Sequence, residues 1–319
     1  MTKLKIIFLA SIFLVVILVV AVNYKIDYKK SILIDIPQGT SASSISKLLS
    51  DRGLIFNELL FRLYTKLTSI EELYKAGEYQ IKNPESIFTL TNKLVKGDFF
   101  YRKLTLLPGH TLEDIFKLGE SEGLLNDLKL TVKDKYMMNG IELKEGVFYP
   151  DTFFYLKGET FSSILSKSSN KWKIKYQKLW KERSSNLPYN NLMEAITLAS
   201  IIEKEGLEKE QIAGVFINRL NKGMKLQSDP TVIFAMGKEF DGNIKRKDLK
   251  LDNPYNTYLY KGLPPGPISL VSEKSLYAAL NPLQTDYLYF VSMKNGYHKF
   301  SKNLSDHNEA VLEYQINAR

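Results

Sequence analysis

The chain has 319 residues, a formal net charge of +9 and no cysteine. This length is enough for two domains of ordinary size. Because cysteine is absent, disulfides, thiolate metal sites, cysteine nucleophiles and thioether lipid anchors are excluded. The chain has only three histidines, His110, His298 and His307, so few ligands are available for a zinc-hydrolase site. The positive charge favours either an anionic partner or a lysine-rich solvated surface.

The N-terminus contains an uncharged apolar run from Ile6 to Val22, which is at the short end of what spans a bilayer. A secretory signal has a shorter core and a small-x-small cleavage site, which the letters AVN at the end of the run match poorly. We therefore predict residues 1–5 as a cytoplasmic N-terminus and residues 6–24 as an uncleaved transmembrane anchor, with a signal peptide as the alternative. A very short N-terminal segment before a single transmembrane helix usually stays in the cytoplasm, so we expect the rest of the chain on the extracytoplasmic side.

Two similar segments follow the apolar run. GTSASSISKLLSDRGLI begins at Gly39 and GHTLEDIFKLGESEGLL begins at Gly109, and they match at six positions without gaps. Each follows a short β-rich run that ends in proline. Each also reads as a tight turn, a helix with a Ser/Thr cap and a glycine stop, Gly53 or Gly123. We therefore predict two small α/β units in residues 31–125, with a chance similarity of two turn–helix signals as the alternative.

The segment ITLASIIEKEG predicts a helix that carries Glu203 on its apolar side. At about 100° per residue, Glu203 falls within the apolar stripe, whereas Lys204 and Glu205 point away from it. A carboxylate facing a core is expected to have a raised pKa, to be protonated near neutrality and to donate its proton to a leaving group. The alternative is a structural glutamate paired with Arg219 or with a lysine from a neighbouring helix.

Further candidate binding residues lie in polar loops that are rich in glycine and proline, which favour a binding surface. LQSDPTV contains Gln227 and Asp229, and an aspartate before proline is also typical of a helix cap. PYNTYLYKGLPPG offers aromatic and hydrogen-bonding side chains that suit sugars, or a rigid structural loop. We find no phosphate-binding glycine loop, nucleophile elbow, metal-ligand pair at helical spacing or RNA-binding signature. The other candidates are Tyr255, Asn256, Thr257, Tyr258 and, beside an aromatic turn, Glu145.

The segments LASIIEKE, VFINRLNKGMKLQSDPTVIFAMG, NPYNTYLYKGLPPGPIS and GYHKFSKNLSDHNEAV resemble the YceG-like family of endolytic murein transglycosylases, known as MltG. The resemblance runs from about Leu143 to the end, and KEGVFYPDT is similar to the family's Glu-Gly-x-x-x-Pro-Asp-Thr segment. It implies an α+β fold with one transmembrane helix, a LysM-like region at 31–125 and a catalytic domain at 140–319. Gly206 departs from the pattern, since many members have threonine there.

The resemblance also implies a chemistry that needs one carboxylate. Members cleave the β-1,4 bond between N-acetylmuramic acid and N-acetylglucosamine in nascent glycan strands, and their catalytic residue is the first glutamate of Glu-Lys-Glu, here Glu203. This group would protonate the glycosidic oxygen and then take the proton of the muramoyl C6 hydroxyl, which closes on C1 to give a 1,6-anhydro end. The implied partners are peptidoglycan, the inner membrane and peptidoglycan synthases such as penicillin-binding proteins. No cofactor, metal or nucleic acid is expected.

Other functions stay open from the sequence. A muramidase would hydrolyse the same bond with Glu203 and a second carboxylate, Asp229 or Glu145. A non-catalytic, membrane-tethered scaffold protein would bind peptidoglycan and recruit synthases. A basic membrane protein that binds nucleic acid is supported by net charge alone.

Overall fold

Two compact units make up the chain. The computed structural model describes residues 2–27, 30–122, 124–125, 127–130, 136–138 and 141–317. The first unit comprises Met1–Arg102 and Phe154–Gly158, and the second comprises Lys103–Phe153 and Glu159–Arg319. Both units combine helices with short strands, so the predicted α+β class is confirmed.

The first unit begins with an apolar helix, α1 (Thr2–Asn23). Its segment Lys5–Asn23 has a mean hydropathy of 3.1, and most of its side chains are exposed. Within the described ranges it is the one helix that is long and apolar enough to cross a membrane. Anchors and signal sequences share these properties, so the uncleaved anchor and its orientation stay predictions.

A small core of helices and antiparallel strands forms the rest of the first unit. Its elements are β1 (Lys25–Ile26), β2 (Ile32–Ile36), α2 (Ala42–Asp51), α3 (Glu58–Leu67), β3 (Gly77–Ile81), β4 (Glu85–Ser86) and α4 (Ile87–Lys96). β1 pairs antiparallel with β4, and β2 pairs antiparallel with β3. Leu49, Phe61 and Tyr79 come from α2, α3 and β3, and all three are fully buried in one apolar cluster. After β3, the helix α4 begins with a capping box at Ser86 and ends with its C-cap at Gly97, whose φ is +74°.

The second unit is larger and mainly helical. Two of the boundaries between the units lie inside strands, namely β5 (Arg102–Thr105) and β9 (Thr152–Tyr155). Three short strands, β6 to β8, form an antiparallel sheet, and β10 and β11 form a hairpin. The elements other than β5 and β9 are α5 (Leu112–Ser121), β6 (Lys129–Leu130), β7 (Tyr136–Met138), β8 (Ile141–Glu142), α6 (Phe161–Lys181), α7 (Leu192–Glu205), α8 (Lys209–Asn221), α9 (Asp229–Met236), α10 (Glu273–Leu280), β10 (Tyr289–Ser292), β11 (His298–Ser301) and α11 (Leu304–Val311).

The helix α7 lies at the centre of the second unit. Every residue from Ala195 to Ile202 is buried, including the polar Thr197 and Ser200. The helices α8 and α10 pack against α7. A helix that is surrounded by protein has no solvent face, so an amphipathic stripe does not describe it. Glu205 itself is half-buried and accepts a hydrogen bond from the hydroxyl of the buried Ser228, so the prediction that it points away from the core is wrong.

Both copies of the predicted repeat form a strand, a turn and a helix. Gly39 and Gly109 have φ angles of +80° and +84° in the two turns, where a side chain would be strained. Ser41 and Thr111 cap α2 and α5, as the pattern predicts. The predicted stop at Gly123 lies outside the described residues. The two copies fall in different compact units, so the LysM-like region predicted over both stays a prediction.

Candidate active site

Glu203 lies in the last turn of α7, and its carboxylate is held by neighbouring groups. The backbone N–H and the hydroxyl of Ser272 donate to its Oε2 at 2.9 and 2.5 Å. Lys209 Nζ lies 3.5 Å from its Oε1. Burial raises the pKa of Glu203, but the hydrogen bonds from Ser272 and the charge of Lys209 outweigh burial, so the pKa is lowered. The prediction of a raised pKa and a protonated Glu203 is therefore wrong.

Lys209, at the start of α8, also closes the end of α7. Its side chain is 9% exposed, and Nζ donates to the carbonyl oxygens of Ile202 and Glu203 at 3.1 and 2.9 Å. Carbonyl groups at a helix C-terminus lack intrahelical partners, and a cation is favourable there. The pairing with a lysine from a neighbouring helix, one of the alternatives from the sequence, is thus present. Arg219, the other suggested partner, donates to backbone carbonyl groups elsewhere.

Glu203 lines a groove of about 700 Å³, called here the Glu203 groove. Lys204 is exposed beside it, and its Nζ lies 3.4 Å from the carbonyl oxygen of Gly109. Charges of both signs line this groove, so it is polar, and the Glu203 carboxylate that faces it is already hydrogen-bonded. The remaining lining residues are Leu107, Pro108, His110, Asp114, Lys117, Leu118 and Ser121.

Glu205, two residues further along α7, has the raised pKa that was expected of Glu203. Burial raises the pKa of Glu205 to about 7; a hydrogen bond from the Ser228 hydroxyl opposes the rise, and the charge of Asp229 adds to it. A carboxyl group with this pKa can both give and take a proton near neutrality. It faces a cavity of about 360 Å³, called here the Glu205 cavity. The cavity is lined by Glu205, Arg219, Leu226, Gln227, Asp229, Tyr258, Phe290 and His307.

Gln227 and Asp229, both predicted from LQSDPTV, line the Glu205 cavity. Gln227 has a φ of +52°, a left-handed conformation that costs a residue with a side chain about 1 kcal/mol. Its N–H is held at 3.2 Å by a backbone carbonyl of a neighbouring loop. Asp229 begins α9, but Ser228 occupies the N-cap position, and Asp229 Oδ1 accepts a hydrogen bond from the Tyr258 hydroxyl at 2.5 Å. The alternative interpretation of Asp229 as a helix cap is therefore wrong.

The side chains of the loop YNTY differ in location, because some line a cavity and others are buried in the protein interior. Tyr258 lines the Glu205 cavity. Asn256 is fully buried, and its Nδ2 donates to two backbone carbonyl oxygens at 3.1 and 2.8 Å. Thr257 is buried as well, and its hydroxyl accepts from the backbone N–H of Ser228 at 3.0 Å. Asn256 and Thr257, predicted as binding residues, thus hold the loop in place from inside the protein.

Glu145 and Tyr255 line a third site of about 640 Å³, called here the Glu145 cavity. Both oxygens of Glu145 accept from the backbone N–H of Leu112, at 2.9 and 3.1 Å. Burial raises the pKa of Glu145 to about 7, the Leu112 hydrogen bond opposes the rise, and the charge of Asp114 adds to it. The predicted site residues that line a pocket are therefore divided among one groove and two cavities.

The sequence reasoning missed Glu205, Ser228 and His307. A signal for Glu205 was present, because the run ITLASII has no charged residue on any side and so predicts a helix with no solvent face. His307 stacks on Tyr289 with ring centroids 5.1 Å apart, and its buried Nδ1 has no hydrogen-bond partner among the residues that the structure describes. Burial lowers the pKa of His307, which favours the neutral ring. No local sequence pattern identifies His307 as a cavity residue, because His307 lies in α11, far along the chain from Glu205.

The fold and the site define an α+β protein whose second unit holds carboxyl groups in polar cavities. Over the part of the chain that is described, no group of three or more His, Cys, Asp or Glu side chains is arranged to hold a metal ion. The model of the YceG-like family matches residues 34–313. The chain belongs to this family, and the resemblance inferred from its motifs is confirmed.

Three relatives illustrate the similarity. The endolytic murein transglycosylase of Bacillus subtilis (strain 168) is 33% identical over 314 residues, which cover 90% of this chain and 86% of the relative. The endolytic murein transglycosylase of Streptococcus pneumoniae (strain ATCC BAA-255 / R6) is 30% identical over 332 residues, which cover 90% of this chain and 59% of the relative. The crystal structure of a YceG-like protein from Listeria monocytogenes is 31% identical, has a TM-score of 0.54, and covers 88% of this chain and 99% of that one.

Proposed function

We propose that this protein is a membrane-anchored endolytic peptidoglycan lytic transglycosylase and that Glu205 is its acid–base residue. Family membership and the names of the two curated relatives support the reaction class, which is that of a lyase. The observation that carries the choice of residue is the Glu205 cavity. It combines a carboxyl group of pKa about 7 with Gln227, Asp229 and Tyr258, whose side chains suit a sugar. The bond cleaved is the β-1,4 linkage from N-acetylmuramic acid to N-acetylglucosamine.

The choice between Glu205 and Glu203 follows from their surroundings. The resemblance assigns catalysis to Glu203, which stays a candidate because it lines a groove. A general acid is most effective when its pKa lies near the working pH. Glu203 has a lowered pKa and is held by Ser272 and Lys209, so it is ionised and fixed. Glu205 has a raised pKa and opens on a cavity. We therefore assign the proton transfer to Glu205.

The proposed reaction needs one carboxyl group because the substrate supplies its own nucleophile. Glu205 donates its proton to the glycosidic oxygen as the bond between that oxygen and the muramoyl C1 breaks. The carboxylate then takes the proton of the C6 hydroxyl on the same sugar, and the C6 oxygen bonds to C1. The products are a 1,6-anhydro end and a free sugar hydroxyl, the carboxyl group regains its proton, and no water is consumed.

The neighbours of Glu205 set its proton affinity and contact the sugar. Asp229 favours the protonated form through its negative charge, and Ser228 favours the ionised form through its hydrogen bond. The hydrogen bond to Asp229 fixes the Tyr258 hydroxyl, so the ring presents a flat face to a pyranose. The ring of His307 lines the same cavity.

A muramidase is the second candidate function, and one observation favours it. Asp229 lies in the same cavity as Glu205 and is close enough to raise its pKa. A hydrolase generally needs a second carboxylate near its general acid. Glu145, the other second carboxylate suggested by the sequence, lines a different cavity and is a weaker choice. A non-catalytic peptidoglycan-binding scaffold protein is the third.

The proposed setting is the cytoplasmic membrane, with α1 as the anchor and the second unit on the extracytoplasmic side. The apolar segment Lys5–Asn23 supports this placement. An anchored enzyme meets glycan strands close to the membrane, so penicillin-binding proteins are its proposed partners. The two strand–turn–helix copies in residues 31–125 are proposed as a LysM-like region that contacts the same polymer. The proposed reaction requires no cofactor.

Product masses test the reaction class. The full-length protein in detergent is incubated with polymeric peptidoglycan, and the soluble muropeptides are weighed by mass spectrometry. We expect products one water molecule lighter than reducing muropeptides, as the 1,6-anhydro ring requires. Reducing ends would show a muramidase, and an undigested polymer would show a scaffold protein. Either result contradicts the proposal.

A further inference from the structure

The Glu145 cavity brings together two sequence segments that the proposed reaction does not use. One is the turn KEG, which contains Glu145, and the other is the loop GLPPGPI, which contains Pro265 and Pro267. Tyr255 and Lys238 also line this cavity. The lining combines aromatic and apolar side chains with further charged groups, those of Glu113, Glu142 and Lys144. A concave site that offers both apolar surface and polar groups is typical of ligand binding. The cavity therefore has the composition of a binding site.

Two glycines allow the walls of the Glu145 cavity to pack closely. Gly146 has a φ of +73°, and a Cβ atom there would lie 2.8 Å from the ring of Pro267. A Cβ atom on Gly266 would lie 3.2 Å from the Tyr255 hydroxyl. The indole N–H of Trp172 donates to the carbonyl oxygen of Gly146 at 2.7 Å. The turn and the proline-rich loop are thus fixed against each other, and the cavity between them is preformed.

Glu145 has hydrogen-bonding capacity left for a ligand. The single backbone N–H of Leu112 fixes both of its oxygens at the start of α5. Two carboxylate oxygens can accept about four hydrogen bonds, so one N–H uses only part of this capacity. When the group is protonated, its hydroxyl can donate as well. Glu145 is therefore positioned to bind an N–H or an O–H group.

An N-acetylated hexosamine matches this lining. The ring of Tyr255 and the two prolines offer apolar surface to a pyranose face and to the acetamido methyl group. Glu145 can accept from the acetamido N–H, and the Lys238 ammonium group can donate to the acetamido oxygen. Tyr255 and Tyr258 come from one loop, and they line the Glu145 cavity and the Glu205 cavity respectively.

We propose that the Glu145 cavity is a subsite for an N-acetylhexosamine residue of the glycan strand, separate from the cavity in which the bond is cleaved. The proposal rests on the proposed function, because it takes peptidoglycan glycan as the substrate. Such a subsite extends the contact with the strand beyond the sugars that flank the cleaved bond.

Binding of an oligosaccharide probe tests the subsite. The full chain carrying Glu205→Gln is titrated calorimetrically in detergent with tetra-N-acetylchitotetraose and with cellotetraose, which lacks acetamido groups. Adding Glu145→Gln or Tyr255→Leu should each raise the Kd for the acetylated sugar about tenfold. Glu239→Gln, at an exposed carboxylate, is the matched control and should leave the Kd unchanged. Cellotetraose should bind at least about tenfold more weakly than the acetylated sugar.

Unchanged affinity in both folded variants, or equal affinity for the two sugars, would overturn the subsite. Thermal unfolding shows whether each variant is folded. If Glu145→Gln is not, Tyr255→Leu decides, because it leaves the hydrogen bond from Leu112 intact. The proposed function is tested separately. It fails if the unmodified protein releases no anhydro products from peptidoglycan, whatever the result of the tetrasaccharide titration.

Discussion

Glu203 and Glu205 are separated by one residue in the last turn of α7, and the pKa values of their carboxyl groups are shifted in opposite directions. About 200° of helical rotation separates the two side chains. Glu203 therefore meets Ser272 and Lys209, which hold it in the ionised form. Glu205 faces a different cavity, and its burial favours the protonated form. The surroundings of each carboxyl group, rather than its place in the motif, decide which chemistry it can perform.

The pH dependence of cleavage is expected to follow Glu205. A general acid must be protonated, so kcat/KM should fall as the pH rises through about 7. Ser228→Ala removes a hydrogen bond that favours the ionised form, so it should move this fall to higher pH. Asp229→Asn removes a negative charge that favours the protonated form, so it should move the fall to lower pH. The measurement is the pH profile of anhydro-product release for the three proteins.

The opposite directions of the two shifts are the informative result. A general loss of structure would lower activity at every pH without moving the profile. Profiles that move in the same direction, or that coincide with that of the unmodified protein, would contradict the assignment of the acid to Glu205.

Lys209 is expected to stabilise the second unit through the end of α7. Lys209→Met leaves Glu203 and two carbonyl groups without their cation, so the free energy of unfolding should fall by about 2–4 kcal/mol. Adding Glu203→Gln removes the uncompensated charge, so the double variant should lose less than the sum of the two single variants. Denaturant unfolding in detergent measures all three. Strict additivity would show that the two side chains do not interact.

The stabilising effect of Glu203 should also depend on pH. Its pKa is lower in the folded protein than in the unfolded chain, so the ionised carboxyl group stabilises the fold above the unfolded pKa. This contribution is lost as the pH falls through the folded pKa. The stability difference between the unmodified protein and Glu203→Gln should therefore shrink in acid. A difference that is independent of pH would contradict the lowered pKa.

Substitutions of the adjacent residues Thr257 and Tyr258 should have different effects on stability and on cleavage. Thr257→Val removes a buried hydroxyl that accepts from the N–H of Ser228, so stability should fall by about 1–3 kcal/mol. Tyr258→Phe removes a hydroxyl at the Glu205 cavity, so it should reduce cleavage while changing stability little. Denaturant unfolding and product release, measured on both variants, separate the two roles. Equal loss of stability in both would contradict this division.

We expect glycine to be required at position 206 because a neighbouring side chain leaves no room for a Cβ atom, and not because of the backbone conformation. Its φ of −180° is an extended conformation open to any residue, but a Cβ atom would lie 2.6 Å from Cε1 of His298. The His298 ring bonds to Glu208 at 2.8 Å, so it has little freedom to move. Gly206→Thr should lower the free energy of unfolding by about 1–3 kcal/mol. Adding His298→Ala should recover part of this loss, and no recovery would exclude the clash.

Local patterns in the sequence are sufficient for the elements whose signals are themselves local. The turns at Gly39 and Gly109 are positions of positive φ, and Ser41 and Thr111 are caps, and all four follow from their neighbours in the chain. The apolar N-terminal helix follows from composition, whereas the α+β class was implied by the resemblance to the YceG-like family. The prediction for α7 as an element was equally secure, since its run of apolar residues is long.

The side chains of the site could be predicted less well, because their environments come from distant segments. The pKa of Glu203 depends on Ser272, far along the chain, which no helical wheel includes. Asn256 resembles a sugar-binding amide in the sequence, but the structure buries it within its own loop. Gln227 and Tyr258, predicted as binding residues beside Glu203, line the cavity of Glu205 instead. Their role in binding stays a prediction.

Anhydro-product release by Glu205→Gln and Glu203→Gln, compared at equal concentrations of folded protein, tests the central claim most directly. We predict that Glu205→Gln lowers the rate by about 10²- to 10⁴-fold, because glutamine cannot donate the proton, and that Glu203→Gln keeps most of the activity. Loss of cleavage in a folded Glu203→Gln protein, with cleavage retained in Glu205→Gln, would contradict the account.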